Sequence, residues 1–490
     1  MFDVAIIGAG IVGSAIARNL SRYNLKTVVL EKGVEVCQGT TKANSAIVHG
    51  GFDAKEGSLK ARLNVLGCKM YQQICEELSV DYKNNGSLVL AFSQEDMNHV
   101  HELYERGLKN GVEGLEIIDE VKVKEIEPNV SENVIGALWC KSSGIVCPFN
   151  LNIAFMENAI NNGVELKLES EVLEIRRIEA ENYFEIITKK GLINAKYVIN
   201  AAGVYSDKIN NLIGGDEFYI IPRKGQYKIL DKSEGYKANH TLFTCPTEKG
   251  KGVLVTQTVH GNLLVGPNAE VVEKEDITTS KDGLREVMDG GRKSVSNIDF
   301  SKTITSFAGV RATPNTGDFM IFKSKVAKGF INVGGIESPG LASAPAIALY
   351  VEDLLKEVMA DDNKYLEDNK DFNPIRKKSI PFMQMTLEEQ IKTLNEDKRY
   401  QTIICRCENI TEGEIVDAIN RPCGARTVDG VKRRVRPGMG RCQGGFCGPK
   451  VVEIIARELN MDVQDVLKDY ENSNILVGKV KELRGETVEI

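Results

Sequence analysis

The feature that most constrains the fold is a set of glycines close to the N-terminus. Residues 3–7 form a short apolar run of strand type, and Gly8, Gly10 and Gly13 follow at the start of a helical pattern. Such glycines permit a tight turn, a close approach of the backbone to a pyrophosphate and close packing of the helix. The helix N-terminus then faces the phosphate charge. The pattern predicts a Rossmann-like dinucleotide site.

A second strand, residues 28–30, ends at Glu31. In dinucleotide-binding folds an acid about 20 residues beyond the glycines binds the ribose hydroxyls. This fingerprint does not by itself separate NAD from FAD. Because the chain contains no second turn of this kind, a reaction with a second nicotinamide would need a partner, and a tightly held flavin is favoured.

Composition limits the other classes of function. The 490 residues allow about three domains, and a net charge of −7 gives no general attraction to nucleic acid or to anionic membranes. The nearly apolar stretch 4–17 is too short to span a bilayer, so we expect membrane contact only through a partner. The N-terminus lacks the basic region of a signal peptide. We therefore expect a cytoplasmic protein whose eleven cysteines do not form a disulfide framework.

Several later segments occur in a recognisable order. They are residues 39–51, 142–146, 198–203, 222–227, 251–255, 266–269, 307–311 and 332–341. Over about residues 1–360 the chain resembles the D-amino-acid oxidase superfamily of flavoproteins. Within it, the branch of glycerol-3-phosphate and L-2-hydroxyglutarate dehydrogenases or oxidases is the most similar.

This resemblance implies an α/β fold, with a Rossmann-like FAD-binding domain and an interleaved α+β substrate domain. The cofactor part would span about 1–80, 146–220 and 306–360, and the substrate part about 81–145 and 221–305. The residues expected at the cofactor are Gly8, Gly10, Ile11, Val12, Gly13, Glu31, Lys32, Thr40, Thr41, Asn44, Ser45, Val172, Ala202, Gly203, Gly335, Gly340 and Leu341.

Candidate catalytic groups come from the same half of the chain. Of the five histidines, His49 lies in a loop rich in small residues. The others are interpreted as surface residues, and His99 and His101 lie in a polar segment, residues 94–109, that is expected to form an exposed helix. An imidazole that titrates near neutrality can take the hydroxyl proton of an alcohol, although His49 can instead serve only as a hydrogen-bond partner of the flavin. Arg311, just past an expected strand 303–310, suits an anionic substrate. Lys251 and Ser338 are further candidates.

A cysteine cluster follows a polar stretch, residues 361–400, which we interpret as a connector. Cys405, Cys407, Cys442 and Cys447 form a CxC…CxxxxC set, and Cys423 is the odd residue. Four thiolates suit zinc or an iron-sulfur cluster, and spacing alone does not decide between them.

Residues 401–460 resemble the small helical [2Fe-2S] domain of bacterioferritin-associated ferredoxin, which also ends anaerobic glycerol-3-phosphate dehydrogenases. The resemblance implies a [2Fe-2S] cluster held by the four cysteines. Residues 411–414 have the pattern of a capping box that opens a helix through residue 419, and a second helix is expected over 449–459, before a C-terminal tail over 461–490. A basic run precedes the second cysteine pair: Lys432, Arg433, Arg434, Arg436 and Arg441. We interpret these cations as tuning the cluster or docking a partner, rather than binding DNA.

The two resemblances together imply oxidation of sn-glycerol 3-phosphate to dihydroxyacetone phosphate, with electrons exported through the cluster to an accepting protein or carrier. Oxidation of L-2-hydroxyglutarate or another small anionic hydroxy acid is the alternative. A flavin and iron-sulfur electron-transfer subunit, or a module with structural zinc, belongs to a different class and stays open.

Overall fold

The structure is a computed structural model that describes residues 1–245, 252–378 and 381–478. The chain divides into two compact units. The first comprises Met1–Leu30 and Cys37–Arg376, and the second comprises Glu31–Val36 and the chain from Lys377 onward. In the part of the chain that the structure describes, no helix is both long enough and apolar enough to cross a membrane.

The strands of the first unit are, in chain order, β1 (Phe2–Ile7), β2 (Thr27–Leu30), β3 (Ile47–Val48), β4 (Tyr82–Lys83), β5 (Ser87–Ala91), β6 (Leu115–Asp119), β7 (Gly136–Cys140), β8 (Gly144–Val146), β9 (Glu165–Lys167), β10 (Val172–Ile178), β11 (Tyr183–Thr188), β12 (Gly191–Asn200), β13 (Ile220–Leu230), β14 (Thr241–Thr244), β15 (Leu254–Gln257), β16 (Leu263–Gly266), β17 (Glu270–Val271), β18 (Thr303–Pro314), β19 (Met320–Lys323) and β20 (Phe330–Gly334). Its helices are α1 (Ile11–Leu20), α2 (Leu59–Leu78), α3 (Gln94–Lys109), α4 (Glu120–Ile126), α5 (Pro148–Asn161), α6 (Ser206–Asn211), α7 (Lys281–Ser294) and α8 (Gly340–Ala360).

One sheet of the first unit contains the nucleotide-type βαβ arrangement. Strand β1 lies between β2 and β12, and both pairs are parallel. The other edge of β12 pairs with β11 at its beginning and with β20 at its end. These strands are short apolar runs that are buried on both faces, as parallel strands covered by helices are. Helix α1 packs against α5 and α8, and α2 also packs against α8.

The second sheet is interleaved with the first along the chain, as the sequence predicts. Its strands follow the order β17-β13-β16-β15-β14-β5-β7-β6, with β18 paired to β13. The antiparallel β13–β18 pair runs from Ile220 opposite Pro314 to Leu230 opposite Thr303. The boundary expected at residue 306 therefore lies inside β18, which belongs wholly to the second sheet. A small third sheet has the order β3-β8-β4.

The stretch expected as a connector is divided between the two units. Residues 361–376 pack on the first unit, where the Arg376 guanidinium forms an ion pair of 2.6 Å with the buried Glu157. Asn24 N–H also donates to the carbonyl of Glu367 at 2.8 Å. From Lys377 onward, the described residues belong to the second unit.

The second unit is small and mostly helical. Its strands are β21 (Ile403–Cys405) and β22 (Ile410–Thr411), and its helices are α9 (Leu387–Glu396), α10 (Glu412–Asn420), α11 (Val428–Val435) and α12 (Gly448–Leu459). Thr411 and Glu414 form a capping box at the start of α10, as the sequence predicts. The apolar faces of α10, α11 and α12 share one core with residues such as Ile415, Val431 and Ile455.

A buried carboxylate holds Glu31–Val36 within this unit. Glu35 is 1% exposed and accepts hydrogen bonds from the backbone N–H groups of Arg426 and Thr427. Its other oxygen lies 3.1 Å from the Arg434 guanidinium. Burial acts to lower the pKa of Arg434, but the Glu35 carboxylate raises it above its ordinary value. Each charge is therefore neutralised where water cannot reach it.

We predict that Glu35→Gln destabilises the second unit by about 3 kcal/mol, because it leaves the charge of Arg434 buried without its partner. Hydrogen exchange of the α11 and α12 amides in the full chain measures this loss. The control is Glu116→Gln, which breaks an ion pair with Lys141 whose side chains are 49% and 47% exposed. That change should cost less than about 1 kcal/mol, and equal protection in both variants would contradict the prediction.

Candidate active site and cysteine cluster

The glycine turn between β1 and α1 has the backbone geometry of a phosphate site. Gly8 has φ +105°, and a Cβ there would lie 2.5 Å from the Ala201 carbonyl oxygen. A Cβ on Gly13 would collide with the carbonyl of Gly8. Helix α1 begins without a side-chain cap at Gly10. Only glycines fit this turn, and the helix N-terminus is available to an anion.

Several of the expected cofactor residues follow this turn or the neighbouring strand β2 along the chain. Ile11, the first residue of α1, donates its N–H to Thr41 Oγ1 at 3.0 Å, and Val12 follows it. The N–H of Gly8 donates to the carbonyl of Leu30 at 2.8 Å, and Glu31 comes directly after Leu30 in the chain. The half-buried Glu31 accepts a hydrogen bond from the Gly33 N–H, while Lys32 is exposed.

The loop over residues 40–46 is fixed by its own hydrogen bonds and by β18. Thr40 Oγ1 donates to the Val310 carbonyl at 2.6 Å. The Asn44 amide donates to the carbonyls of Thr40 and Thr41, and its oxygen accepts from the Ala46 N–H at 2.8 Å. These hydrogen bonds hold the loop in the conformation seen here.

His49 follows this loop and is only 9% exposed. Its ring packs on Phe52, with ring centroids 4.6 Å apart. The Gly51 N–H donates to Nδ1 at 3.3 Å, and the Asn64 amide donates to the His49 carbonyl. Because Nδ1 is the acceptor, the neutral ring carries its proton on Nε2. In this tautomer Nε2 donates a hydrogen bond, and it can take a proton only after the tautomer changes.

The sequence analysis interprets the other four histidines as surface residues, and this interpretation is wrong for one of them, His240. His99 and His101 lie on α3, which matches its expected bounds. His240 is half-buried, and its Nδ1 lies 2.7 Å from a carboxylate oxygen of the fully buried Glu127. This pair joins β14 to the chain after α4, so His240 has a structural role that its polar neighbours in sequence concealed.

One face of the β13–β18 pair lies against the loop over residues 40–46. In order along the strands, the opposite residues on this face are Tyr227 and Phe307, Gly225 and Gly309, then Arg223 and Arg311. The rings of Tyr227 and Phe307 are stacked, with centroids 4.7 Å apart. Ala43 occupies the space that a side chain on Gly309 would need. Gly309 therefore lets the loop approach the sheet between an aromatic end and an arginine end, and Gly225 leaves room for the Arg311 guanidinium.

The arginine end carries positive charge that no acid among the described residues balances. Strand β18 continues through Pro314, so Arg311 lies inside the strand and not just past it as the sequence predicts. Its Nη2 donates to the Asn268 carbonyl at 3.2 Å. Neither Arg311 nor Arg223 forms an ion pair with another described residue. Like charges directly opposite each other in a sheet repel, and a bound anion would remove that repulsion.

The remaining predicted residues lie around this region or at other strand ends. Gly335 has φ +62°, and a Cβ there would collide with Pro314. Gly340 is the first residue of α8, whose N-terminus has no side-chain cap. The Tyr71 hydroxyl donates to the Leu341 carbonyl, and Ser338 is exposed. Val172 begins β10, Ala202 and Gly203 follow β12, and Ser45 Oγ donates to the Tyr227 hydroxyl at 3.4 Å. Lys251 lies outside the described residues.

The four predicted cluster cysteines form two pairs in the second unit. Cys407 Sγ and Cys442 Sγ are 3.7 Å apart. Burial, together with the neighbouring Cys405 thiol, raises the pKa of the Cys447 thiol to about 12. Among the described residues no group of three or more acidic, cysteine or histidine side chains is gathered around one ion position. Two pairs suit a two-iron cluster, in which each iron takes two thiolates.

The backbone around Cys442 and Cys447 has a conformation that suits thiolate ligands. The N–H of Phe446 lowers the pKa of the Cys442 thiol, and the N–H groups of Gly444 and Gly445 act in the same direction. Gly444 has φ +88°, and a Cβ on Gly440 would collide with Cys407. Backbone donors aimed at thiolate sulfur are the interactions that tune iron-sulfur clusters. The residues present therefore fit a [2Fe-2S] group.

Comparison with known proteins gives a family for both parts. Residues 3–354 match the family model described as FAD dependent oxidoreductase, DAO. The chain belongs to the FAD-dependent oxidoreductase family. Residues 403–457 match the BFD-like [2Fe-2S] binding domain. The predictions of superfamily, fold class, FAD and a [2Fe-2S] cluster are thereby confirmed.

Individual relatives agree with this placement. The chain is 51% identical over 482 residues to glycerol 3-phosphate dehydrogenase of Caloramator mitchellensis, covering 98% of this chain and 99% of that protein. It is 34% identical over 361 residues to glycerol 3-phosphate oxidase of Mycoplasma genitalium, covering 72% and 94%. The dithionite-reduced, FAD-bound L-α-glycerophosphate oxidase of Mycoplasma pneumoniae superposes with a TM-score of 0.73 at 29% identity, covering 77% and 99%.

A buried polar atom in this FAD-dependent oxidoreductase supports the cofactor fit. Asn152 on α5 is fully buried, and its amide donates to the Ala9 carbonyl within the glycine turn. Its Oδ1 has no hydrogen-bond partner among the described residues. A buried acceptor without a partner costs about 1–3 kcal/mol, so this position favours a donor from outside the chain or an ordered water.

The basic run near the cluster is mostly committed to ion pairs within the second unit. Arg433 pairs with Asp469 at 2.7 Å, and Arg436 pairs with Glu408 at 2.9 Å. Arg434 pairs with Glu35, as described above, and its guanidinium also donates to the Cys423 carbonyl at 2.8 Å. These arginines stabilise the fold of the unit, and of the run only Arg441 is exposed.

We predict that the anaerobically purified protein contains iron and acid-labile sulfide, with an EPR signal after reduction by dithionite. Cys407→Ser should lose most of the iron and the signal, because Cys407 is one of the paired thiols. Cys423→Ser is the matched control, since this buried thiol lies beside Arg434 instead. Zinc in place of iron, or equal iron content in both variants, would contradict the assignment of Cys407 as a ligand of an iron-sulfur cluster.

Proposed function

We propose that the protein oxidises sn-glycerol 3-phosphate to dihydroxyacetone phosphate and exports the electrons through its [2Fe-2S] domain. The observation that carries this proposal is the 51% identity, over 98% of the chain, to a protein named glycerol 3-phosphate dehydrogenase. When bound, FAD accepts a hydride from the carbinol carbon, and the [2Fe-2S] cluster carries single electrons onward.

The second unit supports a dehydrogenase rather than an oxidase. The relative named glycerol 3-phosphate oxidase in Mycoplasma genitalium is matched over 94% of its own length by only 72% of this chain. More than a quarter of this chain therefore has no counterpart there. An oxidase passes its electrons to O2 at the flavin and needs no iron-sulfur exit, whereas a dehydrogenase needs an acceptor. We propose that the acceptor is a separate protein.

The arginine end of the β13–β18 face supports a phosphorylated substrate. A phosphate monoester carries nearly two negative charges at neutral pH and has three acceptor oxygens. A planar guanidinium suits such an anion because it donates two parallel hydrogen bonds. We propose that Arg311 binds the phosphate and that Arg223, directly opposite, adds a second cation. Lys251 and Ser338 are proposed as further residues that act on the substrate.

His49 is proposed to handle the hydroxyl proton. It is a buried histidine beside a loop of small residues, and loss of the hydride from the carbinol carbon requires loss of the hydroxyl proton. The bond from Gly51 to Nδ1 leaves the proton on Nε2 and so favours a donor. A base role for Nε2 requires the other tautomer, in which the proton is on Nδ1, or a change to that tautomer that is coupled to proton uptake. The two roles give different results with different substitutions.

L-2-Hydroxyglutarate is the second candidate substrate. The human mitochondrial protein named L-2-hydroxyglutarate dehydrogenase is 33% identical over 290 residues, 56% of this chain. Arginine forks suit carboxylates as well as phosphates. The compartment we propose is the cytoplasm, because none of the eleven cysteines, all of which lie in the described residues, forms a disulfide and such a set suits a reducing environment.

We predict that sn-glycerol 3-phosphate bleaches the flavin absorbance under anaerobic conditions, in a stopped-flow experiment, far faster than L-2-hydroxyglutarate or unphosphorylated glycerol. Faster bleaching by L-2-hydroxyglutarate would replace the proposed substrate. No bleaching by any substrate, in protein that holds FAD, would favour an electron-transfer subunit.

The arginines should act on the phosphate alone. Arg223→Ala should weaken substrate binding by about 10-fold and Arg311→Ala by about 100-fold, since a hydrogen bond to a charged group contributes about 1.5–3 kcal/mol. The measurement is the concentration dependence of bleaching by glycerol 3-phosphate. Arg285→Ala on the exposed face of α7 is the control. Equal weakening with glycerol would show that the two arginines do not recognise the phosphate.

For His49 we predict that His49→Ala retains FAD and slows bleaching by about 10²-fold, the usual loss when proton transfer is removed. His49→Gln separates the roles, because glutamine can donate a hydrogen bond but cannot take the proton. A base role predicts that both variants are slow, and a donor role predicts that His49→Gln keeps most of the rate. An unchanged rate in His49→Ala would exclude both.

A further inference from the structure

The segment Glu31–Val36 leaves the first unit and soon returns to it. Leu30, before the segment, and Cys37, after it, both belong to the first unit. The Leu30 carbonyl accepts a hydrogen bond from the Gly8 N–H at 2.8 Å, and the Cys37 N–H donates to the Ala9 carbonyl at 3.3 Å. Both ends of the segment are therefore tied to the glycine turn that is expected to hold the FAD pyrophosphate.

The middle of the segment is held by α11. Glu35 accepts from the N–H of Thr427, the N-cap residue of α11, at 3.1 Å. Its other oxygen lies 3.1 Å from the Arg434 guanidinium. A Cβ on Gly430, in the same helix, would collide with this carboxylate. The residues on each side of Glu35 are also buried. Contacts with α11 therefore fix the position of Glu35 closely.

Glu35 is close in the chain to Glu31, the acid expected to bind the ribose hydroxyls. Residues 31–36, all of which the structure describes, form no helix or strand. A fully extended chain spans at most about 3.6 Å per residue, so few residues are available to absorb a shift of Glu35. One of them, Gly33, donates its N–H to a carboxylate oxygen of Glu31 at 2.9 Å. A shift of the segment would therefore move the donor that orients this carboxylate.

We propose that Glu35, held by Arg434, is a positioning residue for FAD: it orients Glu31 for the ribose hydroxyls, so that FAD binding depends on the packing of α11 in the [2Fe-2S] domain. Such coupling is reciprocal, because FAD must then stabilise the same packing by the same factor. The chain holds FAD tightly only when the domain proposed to remove its electrons is folded. The inference uses FAD as the cofactor and the expected role of Glu31, and it does not depend on the identity of the substrate.

The test compares FAD with FMN, which has the isoalloxazine ring but lacks the adenosine ribose. The full chain is freed of flavin anaerobically with bromide, its iron content is checked, and each flavin is titrated by fluorescence. Glu35→Gln should weaken FAD binding by about 10-fold, within the usual range for coupling between sites, and should leave FMN binding unchanged. Glu31→Gln should show the same selective loss. The double variant should lose little more than the larger single loss, because both changes act on one contact.

Asp469→Asn is the matched control. Asp469 forms an ion pair of 2.7 Å with Arg433, which lies on α11 beside Arg434, and the two side chains are only 8% and 4% exposed. This change also removes the acid of a buried α11 arginine, but it lies outside residues 31–36. It should speed hydrogen exchange in the domain and should change FAD binding by less than about 2-fold, as expected for an independent site.

The reciprocal effect gives a measurement that needs no variant. In the unsubstituted chain, FAD should slow amide exchange of α11 by about 10-fold more than FMN does. Exchange that is equally slow with both flavins would overturn the proposal, even if Glu35→Gln did not fold. So would an unchanged FAD affinity in Glu35→Gln or Glu31→Gln, an equal loss of FAD and FMN binding in Glu35→Gln, or an equal loss of FAD binding in Asp469→Asn. These measurements use no substrate, so failure of the proposed function would not affect them.

Discussion

The antiparallel pairing of β13 with β18 is the constraint on which the active-site region depends. Its register places the aromatic pair, the glycine pair and the arginine pair on one face, in that order. A shift of one residue would turn all of these side chains to the opposite face. The loop over residues 40–46 is bonded to the same strand through Thr40, and Ala43 fills the space above Gly309. One pairing therefore aligns the expected substrate groups with the expected flavin loop.

Local patterns in the sequence were sufficient for much of the fold. The strand, turn and helix at the N-terminus occur as predicted because apolar periodicity and glycine spacing are local properties. Helices α3 and α10 also lie where the pattern and the capping box place them. Residue spacing alone did not decide between NAD and FAD, or between zinc and an iron-sulfur cluster. The family resemblance favoured FAD and the [2Fe-2S] cluster.

Long-range pairing could not be read in the same way. Arg223 was not a candidate, because nothing local to residues 222–227 reveals that it lies opposite Arg311; this requires the register of strands that are far apart in sequence. The same limit explains the basic run. A row of arginines on a short helix is usually a solvated face, but Arg433 and Arg434 turn inward to acids that are distant along the chain, Asp469 and Glu35. His240 and Glu127 are a further pair of this kind.

The two sites use arginine in opposite ways, and this difference has a physical reason. In the second unit Arg434 is buried, and a buried charge is tolerated only with a partner that is always present, so its acid belongs to the chain itself. On the β13–β18 face, Arg311 and Arg223 have no acid among the described residues, so their charge stays available to an anion that comes and goes. A carboxylate in permanent contact with Arg311 would stabilise the empty protein and compete with the substrate for the same donors. The cost of leaving two like charges opposite each other is thus what keeps these arginines available to the phosphate that we propose they bind.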